Sequence, residues 1–415
     1  MKILLTHPTG NQNSRNAVQA LAEAELLHAF VTSLHVPVNV WPWCLLPGGL
    51  RRQVARRDFS GGHWSILSAA PVRELARMLA GRTGLHALTA HERGWACLDR
   101  LYAAVDLVSA DRVANNNTVT GVYAYEDGAL QAFERAKARG LPRIYELPIG
   151  YWRAHQALCA QEAALQPDWA ETWHPGRDSP EKRARKDAEL ALATRVIVPS
   201  QFVADTLAFY PGRLPEVTVL AYGFPMPIST TARLWYTGGP LKVLFVGGLS
   251  QRKGLAYLLR TAEAMGKKIE LTLIGTGDGA QLVDQRGRML GSVPHQEVLR
   301  QMRAHDVLVF PTLFEGQALV IGEAMSQGLP VITTANSGAT ELIDHGVNGW
   351  IVPVRDSDGI VDILETCIST PSLLASAGRA ALKKAASWQW ADYRYELARI
   401  VREEVASTAA PVINV

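Results

Sequence analysis

At 415 residues the chain is longer than one ordinary core supports, so two domains are expected. Its 48% hydrophobic and 20% charged content is that of a globular protein, and a net charge of +3 argues against a dedicated nucleic-acid binder. Four distant cysteines (Cys44, Cys97, Cys159, Cys367) with no C-x-x-C support neither a disulfide framework nor a zinc site, and fit a reducing compartment.

The first residues, M-K-I-L-L-T-H-P-T-G, read as a strand rather than a signal peptide, and no run reaches the ~18 apolar residues of a membrane span. A cytoplasmic location is the expectation. Strand Lys2–Thr6 leads through a Gly10-Asn11 turn into a helix around Arg15–His28, and Phe30–Leu34 is a second strand. Residues 41–100 are irregular and read as an insertion of helices and loops. Within it, residues 41–57 (WPWCLLPGGLRRQVARR) hold four arginines, two tryptophans and no acid. Such a segment suits peripheral contact with the anionic inner surface of a membrane, or is a folded loop with surface arginines. Strands follow at Val119–Tyr125 and Pro142–Glu146, a polar helical stretch at 153–193 broken near Pro167 and Pro175, and a strand at Arg195–Pro199.

Prolines and a Ser/Thr cluster between Tyr222 and Thr237 mark a linker. A second strand–helix series begins at Leu241–Val246, with strands at 269–274, 306–310, 330–333 and 350–353 and helices at 254–265, 295–304, 317–327 and 338–344. The pattern predicts two Rossmann-like, doubly wound α/β domains facing each other across a cleft. We place them at 1–225 and 226–387, with a last helix in 388–415 packing back on the first domain.

Three segments carry chemistry. In V-G-G-L-S-Q-R-K-G (Val246–Gly254), Gly247 and Gly248 admit close approach of a ligand, and Arg252 and Lys253 suit a diphosphate, or are a solvated turn. In L-T-L-I-G-T-G-D-G, Gly275 and Gly277 form a bend that accommodates a ring or a sugar; Val293 lies in a similar turn, G-S-V-P. In F-E-G-Q-A-L-V-I-G-E, Glu315 and Glu323 flank a strand-to-helix turn. There the amides after Gly316, those of Gln317, Ala318 and Leu319, are expected to face an anion. Both glutamates also fit a plainer reading, as a helix-favouring acid and a solvated face. The D-S-D at Asp356–Asp358 reads as a turn, and no paired histidine ligands and no nucleophile motif occur, so no metal or other cofactor is implied. Neither half has the glycine fingerprint of a dinucleotide oxidoreductase.

These segments, with S-G-A-T-E-L-I-D-H-G-V-N-G-W-I-V-P further on, resemble retaining glycosyltransferases of family 4, the glycosyl transferases group 1 of the GT-B fold. The likeness is strongest over residues 241–355. It implies a UDP- or GDP-sugar as donor and a glycan or lipid-linked acceptor, as in surface polysaccharide synthesis. Lys253, helped by Arg252, would neutralise the leaving diphosphate. Glu315 would hold the donor sugar and Glu323 the ribose. The acceptor would lie against the first domain, on the side of Gly10, Asn11, Arg15, Glu126, Tyr145 and Glu146. Two departures stand out. Gly248 occupies the place of the family's arginine, and the strand end Ile144–Pro148 has no histidine, leaving Glu146 or Tyr145 in that role. A nucleotide-sugar epimerase and a non-catalytic nucleotide-sugar binder are the competing readings.

Overall fold

The protein's structure, a computed structural model, describes residues 1–46, 48–61, 64–173, 177–226 and 233–409. The middle of the expected linker (227–232) and the end of the 388–415 segment (410–415) lie outside them. Among the described residues two all-parallel sheets form. The first contains β1 (Ile3–Thr6), β2 (Leu27–Thr32), β3 (Ile66–Ser68), β4 (Gly121–Tyr125), β5 (Arg143–Glu146), β6 (Arg195–Val198) and β7 (Glu216–Val219), in the order β3-β2-β1-β4-β5-β6-β7. The second contains β8 (Leu241–Val246), β9 (Ile269–Ile274), β10 (Arg288–Met289), β11 (Val307–Phe310), β12 (Val331–Thr334) and β13 (Gly349–Val352), in the order β10-β9-β8-β11-β12-β13. The fold is GT-B, as the sequence leads one to expect.

The central strands are buried along their whole length and mostly apolar because helices cover both faces of each sheet. In each sheet the connections reverse direction between two neighbours, β1 and β4 in the first and β8 and β11 in the second. Ligands of open parallel sheets bind at such a switch point, beyond the carboxyl ends of the strands. The loops leaving β8 and β11 are V-G-G-L-S-Q-R-K-G and the Glu315 segment. Topology therefore brings together two motifs some sixty residues apart in sequence.

Several local expectations are corrected. The irregular 41–100 region supplies an edge strand, β3, and the short strand β7 also joins the first sheet. The expected helix 338–344 is a single turn. Gly338 is left-handed at φ 70°, and the Ala339 carbonyl accepts from both Leu342 and Ile343. The helix expected from Gln317 begins at Leu319.

The last helix, Trp390–Ala409, lies on helix Gln12–Glu23. Its Tyr393, Leu397, Val401 and Val405 share a core with Ile3, Leu5, Ala17 and Leu21. The chain therefore crosses between the halves near 220–226 and again near 388–390. The crossings touch: Phe224 N–H donates to the Trp388 carbonyl at 3.0 Å. Among the described residues no single helix is long and apolar enough to cross a membrane. Helices Ser357–Ser369 and Pro371–Ser387 reach that length and apolarity only together, across a 105° bend, and their apolar side chains Ile360, Leu364, Leu374 and Ala381 fill the second core.

Candidate functional site

The loop after β8 is shaped by glycines that stack the strand ends. Gly275, at φ 142°, lies so close to the Gly247 carbonyl oxygen that a Cβ would overlap it. Gly254, at φ 72°, is pressed in the same way onto the Pro311 carbonyl of the neighbouring loop. Between them a 3-10 turn, Gln251–Lys253, aims two cations at the β11 exit. The Arg252 carbonyl accepts Leu313 N–H at 2.9 Å and Thr312 Oγ1 at 3.0 Å, which locks the two loops together. Gly248 is different: a Cβ there would meet only the Thr276 carbonyl, at 3.9 Å.

Arg252 Nη1 donates to Glu315 Oε1 at 2.7 Å and to the Phe314 carbonyl at 2.9 Å. Lys253 Nζ donates to the same Glu315 oxygen and lies 5.1 Å from the Phe310 ring centroid. Burial, and secondarily the Arg252 guanidinium, pushes the Lys253 ammonium well below its usual pKa. The Glu315 carboxylate opposes that shift by favouring the charged form. Arg252 is lowered by burial as well. The site is thus two crowded, half-dehydrated cations sharing one carboxylate.

Glu323 is one helical turn past Leu319, with its side chain 18% exposed. Burial raises its pKa, and His295 Nε2 at 3.9 Å pulls it back. No hydrogen bond satisfies this carboxylate among the described residues. It lines a narrow crevice with Leu319, Gln317, Tyr222 and Gln12. The amides divide differently from expectation. Ala318 N–H already donates to the Ser337 carbonyl at 2.9 Å, so the opening amides of the helix are those of Leu319 and Val320. Gln317 grips the backbone of Tyr222, its Oε1 accepting Tyr222 N–H at 2.6 Å and its Nε2 donating to the Tyr222 carbonyl at 3.2 Å. Gly316 touches the opposite half directly. Its carbonyl accepts Ser200 Oγ at 2.7 Å, and a Cβ would overlap the Pro148 carbonyl oxygen. Val293 packs on the second core, and Gly277 lies against Leu249.

A cleft of about 390 Å³ runs between the two sheets, lined on one side by Glu126, His155, Trp173, Asp178 and Lys186 and on the other by Ser250, Arg252, Asp278 and Phe314. Glu126 stands at the end of β4, 3.5 Å from Lys186 Nζ, and burial lifts its pKa to about 7 against the pull of that lysine. His155 was not singled out from sequence. Its Nε2 accepts Trp173 Nε1 at 2.6 Å, its ring meets Phe314 edge-on at 5.0 Å, and burial with Arg252 lowers its pKa to about 4. It is therefore a neutral imidazole in the cleft. Its only sequence signal is its place in the first turn of the helix after β5.

Glu146 is not brought to this cleft. It is fully buried, and accepts hydrogen bonds from Tyr123 and, at 2.9 Å, from Tyr222. Burial raises its pKa while the tyrosine hydroxyls lower it. Tyr145 faces the other side of the sheet, its hydroxyl 3.4 Å from Glu189. Gly10, Asn11 and Arg15 line a separate cavity on the first half. His91, Glu92 and Asp178 bring one donor atom each within 4.8 Å of one another. Lys182 and Lys186 each lie 3.1 Å from Asp178, so the cluster is already charge-balanced.

Residues 240–370 match the family model of glycosyl transferases group 1. Among curated proteins, the amylovoran biosynthesis glycosyltransferase AmsK of Erwinia amylovora is 34% identical over 143 residues, 30% of this chain and 35% of that protein. The D-inositol 3-phosphate glycosyltransferase of Arthrobacter sp. (strain FB24) is 27% identical over 51% of this chain and 57% of its own length. The matches thus span about a third to somewhat over half of these relatives. Among solved structures, Anabaena Alr3699/HepE in complex with UDP and glucose superposes with a TM-score of 0.61 at 18% identity, covering 97% of this chain and 99% of that one. This likeness shows the shared fold. The resemblance to group 1 glycosyl transferases read from the sequence is borne out.

Proposed function

We propose that this chain, which carries the group 1 glycosyl transferase domain over residues 240–370 on a GT-B fold, transfers a sugar from a nucleoside-diphosphate donor to a glycan or lipid-linked acceptor, with retention of configuration and without a required metal ion. The observation that carries this reading is the convergence of Arg252 and Lys253 on Glu315 at the switch point of the second sheet. A diphosphate entering there offers both cations a ligand of higher charge than one carboxylate. Glu315, released from them, is free to accept from donor-sugar hydroxyls. Glu323, which accepts no hydrogen bond among the described residues, is placed to accept from ribose hydroxyls, with the amides of Leu319 and Val320 opening the same helix.

In the step itself the bond from the anomeric carbon to the leaving phosphate oxygen breaks. The acceptor hydroxyl bonds to the same carbon on the same face, and its proton passes to the leaving phosphate. Such a step asks the protein mainly to stabilise charge on the diphosphate, which two cations placed at the switch point do once they exchange Glu315 for it. Peripheral contact with a membrane fits the exposed Trp41 and Leu45 near Arg51, at 76% and 71% exposure for the two apolar residues.

A thermal-shift screen of UDP, GDP, ADP and their sugars identifies the donor, since a ligand at a hundredfold its Kd stabilises by ~2.7 kcal/mol. Turnover of the identified donor with an acceptor extract then tests transfer. Sugar inversion with donor alone, followed by NMR, would establish an epimerase instead.

A further inference from the structure

The first half holds an open cavity of about 690 Å³ lined by Arg15, Arg52, Arg56, Arg57 and Arg77, with Thr9, Gly10 and Asn11 as its floor. We propose that this cavity binds the phosphate or diphosphate group of the acceptor, so that the acceptor is a phosphorylated or diphosphate-linked molecule. The proposal rests on the transferase reading for the word acceptor, and on the cavity for the anion.

No carboxylate lines the cavity among the described residues. Glu74 stands behind it, fully buried, and acts as a frame, while Asp58 lies near Arg15 and favours its charged form. Arg57 Nε donates to Glu74 Oε1 at 2.8 Å, Arg77 Nε to Oε2 at 2.8 Å and Arg77 Nη2 to Oε1 at 2.7 Å. One carboxylate therefore orients two guanidiniums and leaves the wall strongly positive. Arg15 is fixed by the carbonyls of Gly10, Asp58 and Arg56 at 3.0, 2.7 and 2.7 Å. The crowding is felt nearby: burial and Arg57 lower both Arg15 and His7, the latter to about 3. Arg52 and Arg56 are the exposed members. Arg52 spends only its Nε, on the Gly48 carbonyl at 3.3 Å, and Arg56 spends none of its guanidinium among the described residues. Two framed and two uncommitted guanidiniums in one concavity match the several oxygens of a phosphate or diphosphate.

Position supports an acceptor role. Thr9, Gly10 and Asn11 line this cavity, and the next residue, Gln12, lines the crevice of Leu319 and Glu323. The anion cavity and the donor-side crevice are therefore bordered by consecutive residues at the start of one helix. A lipid tail attached to it would have the exposed Trp41 and Leu45 on the same β2–β3 excursion.

The test is calorimetric titration of inorganic pyrophosphate into the full chain in an Arg252→Gln background, which weakens the donor-side anion site. Pyrophosphate should bind, and adding Arg52→Gln with Arg56→Gln should weaken it at least tenfold with an unchanged melting temperature. In the otherwise native chain the same pair should raise KM for a diphosphate-bearing acceptor and leave kcat and the KM of a phosphate-free acceptor as they were. Unchanged pyrophosphate affinity overturns the proposal. So does loss of binding to vesicles containing anionic phospholipid with pyrophosphate affinity intact, which would make the arginines a membrane patch. Pyrophosphate binding here in a protein that transfers no sugar would sink the transferase reading and leave the anion site standing.

Discussion

Arg252 reaches from the β8 exit loop to Glu315 in the β11 exit loop, its Nη1 2.7 Å from the carboxylate oxygen. Lys253 meets the same oxygen from the next position in the chain. Charge for a departing diphosphate is therefore stored as an ion cluster whose carboxylate is itself a candidate sugar ligand.

Lys253→Ala should lower kcat by roughly 10²–10³, the usual consequence of removing one charge-stabilising contact. Stability should hardly change, because Glu315 keeps Arg252 and a crowded, buried ammonium is removed. Single-turnover kinetics with a parallel thermal melt checks both; wild-type turnover refutes the phosphate assignment.

The two glutamates should separate by assay. Glu315→Gln should reduce turnover while leaving affinity for the free nucleoside diphosphate within about twofold. Glu323→Gln should weaken that affinity about tenfold, ~1.4 kcal/mol, at the low end for a hydrogen bond to a charged group. Equal losses of nucleotide binding in the two variants would rule out this division.

Gly316→Ala should separate the halves. The methyl has no space against Pro148, and the Ser200 contact must break with it. Small-angle scattering should show a larger radius of gyration, and transfer should fall more than tenfold. An unchanged radius would show that the contact does not hold the cleft closed.

Glu126 predicts a pH dependence of stability. Its folded pKa of about 7 lies above the ordinary 4.5. Between those values the folded protein keeps a proton that the unfolded chain has lost, so the contribution of Glu126 to stability falls as pH rises from about 4.5 to 7, by up to ~3 kcal/mol. Denaturant titrations of the native chain and of Glu126→Gln should show the difference between their stabilities falling across that range.

How far the sequence could be read follows from how local each signal is. The apolar runs of β8, β9 and β11 and the glycine loops after them are contiguous, and they were legible. The meeting of Lys253 with Glu315 was legible only through the doubly wound order, which puts β8 beside β11. Glu146 was misplaced because its environment is assembled from afar: Tyr123 lies on a neighbouring strand and Tyr222 is 76 residues on. The same holds for Ala318, whose amide is claimed by Ser337 from the β12 exit. His155 was passed over because nothing in its own helix marks it; Trp173 and Phe314 arrive from separate segments. The turn at 339–343 failed as a helix because Gly338 must pack where any side chain would strike Gly316.

The return of helix Trp390–Ala409 to helix Gln12–Glu23 sets an order of events during synthesis. The second half is contiguous in sequence, and its sheet is complete once β13 has left the ribosome. The first half is missing Tyr393, Leu397 and Val401 from its core until the final helix emerges. The half made first is thus the half that closes last, and a ribosome stalled before residue 390 would release a chain with a finished second sheet and an open apolar groove on the first.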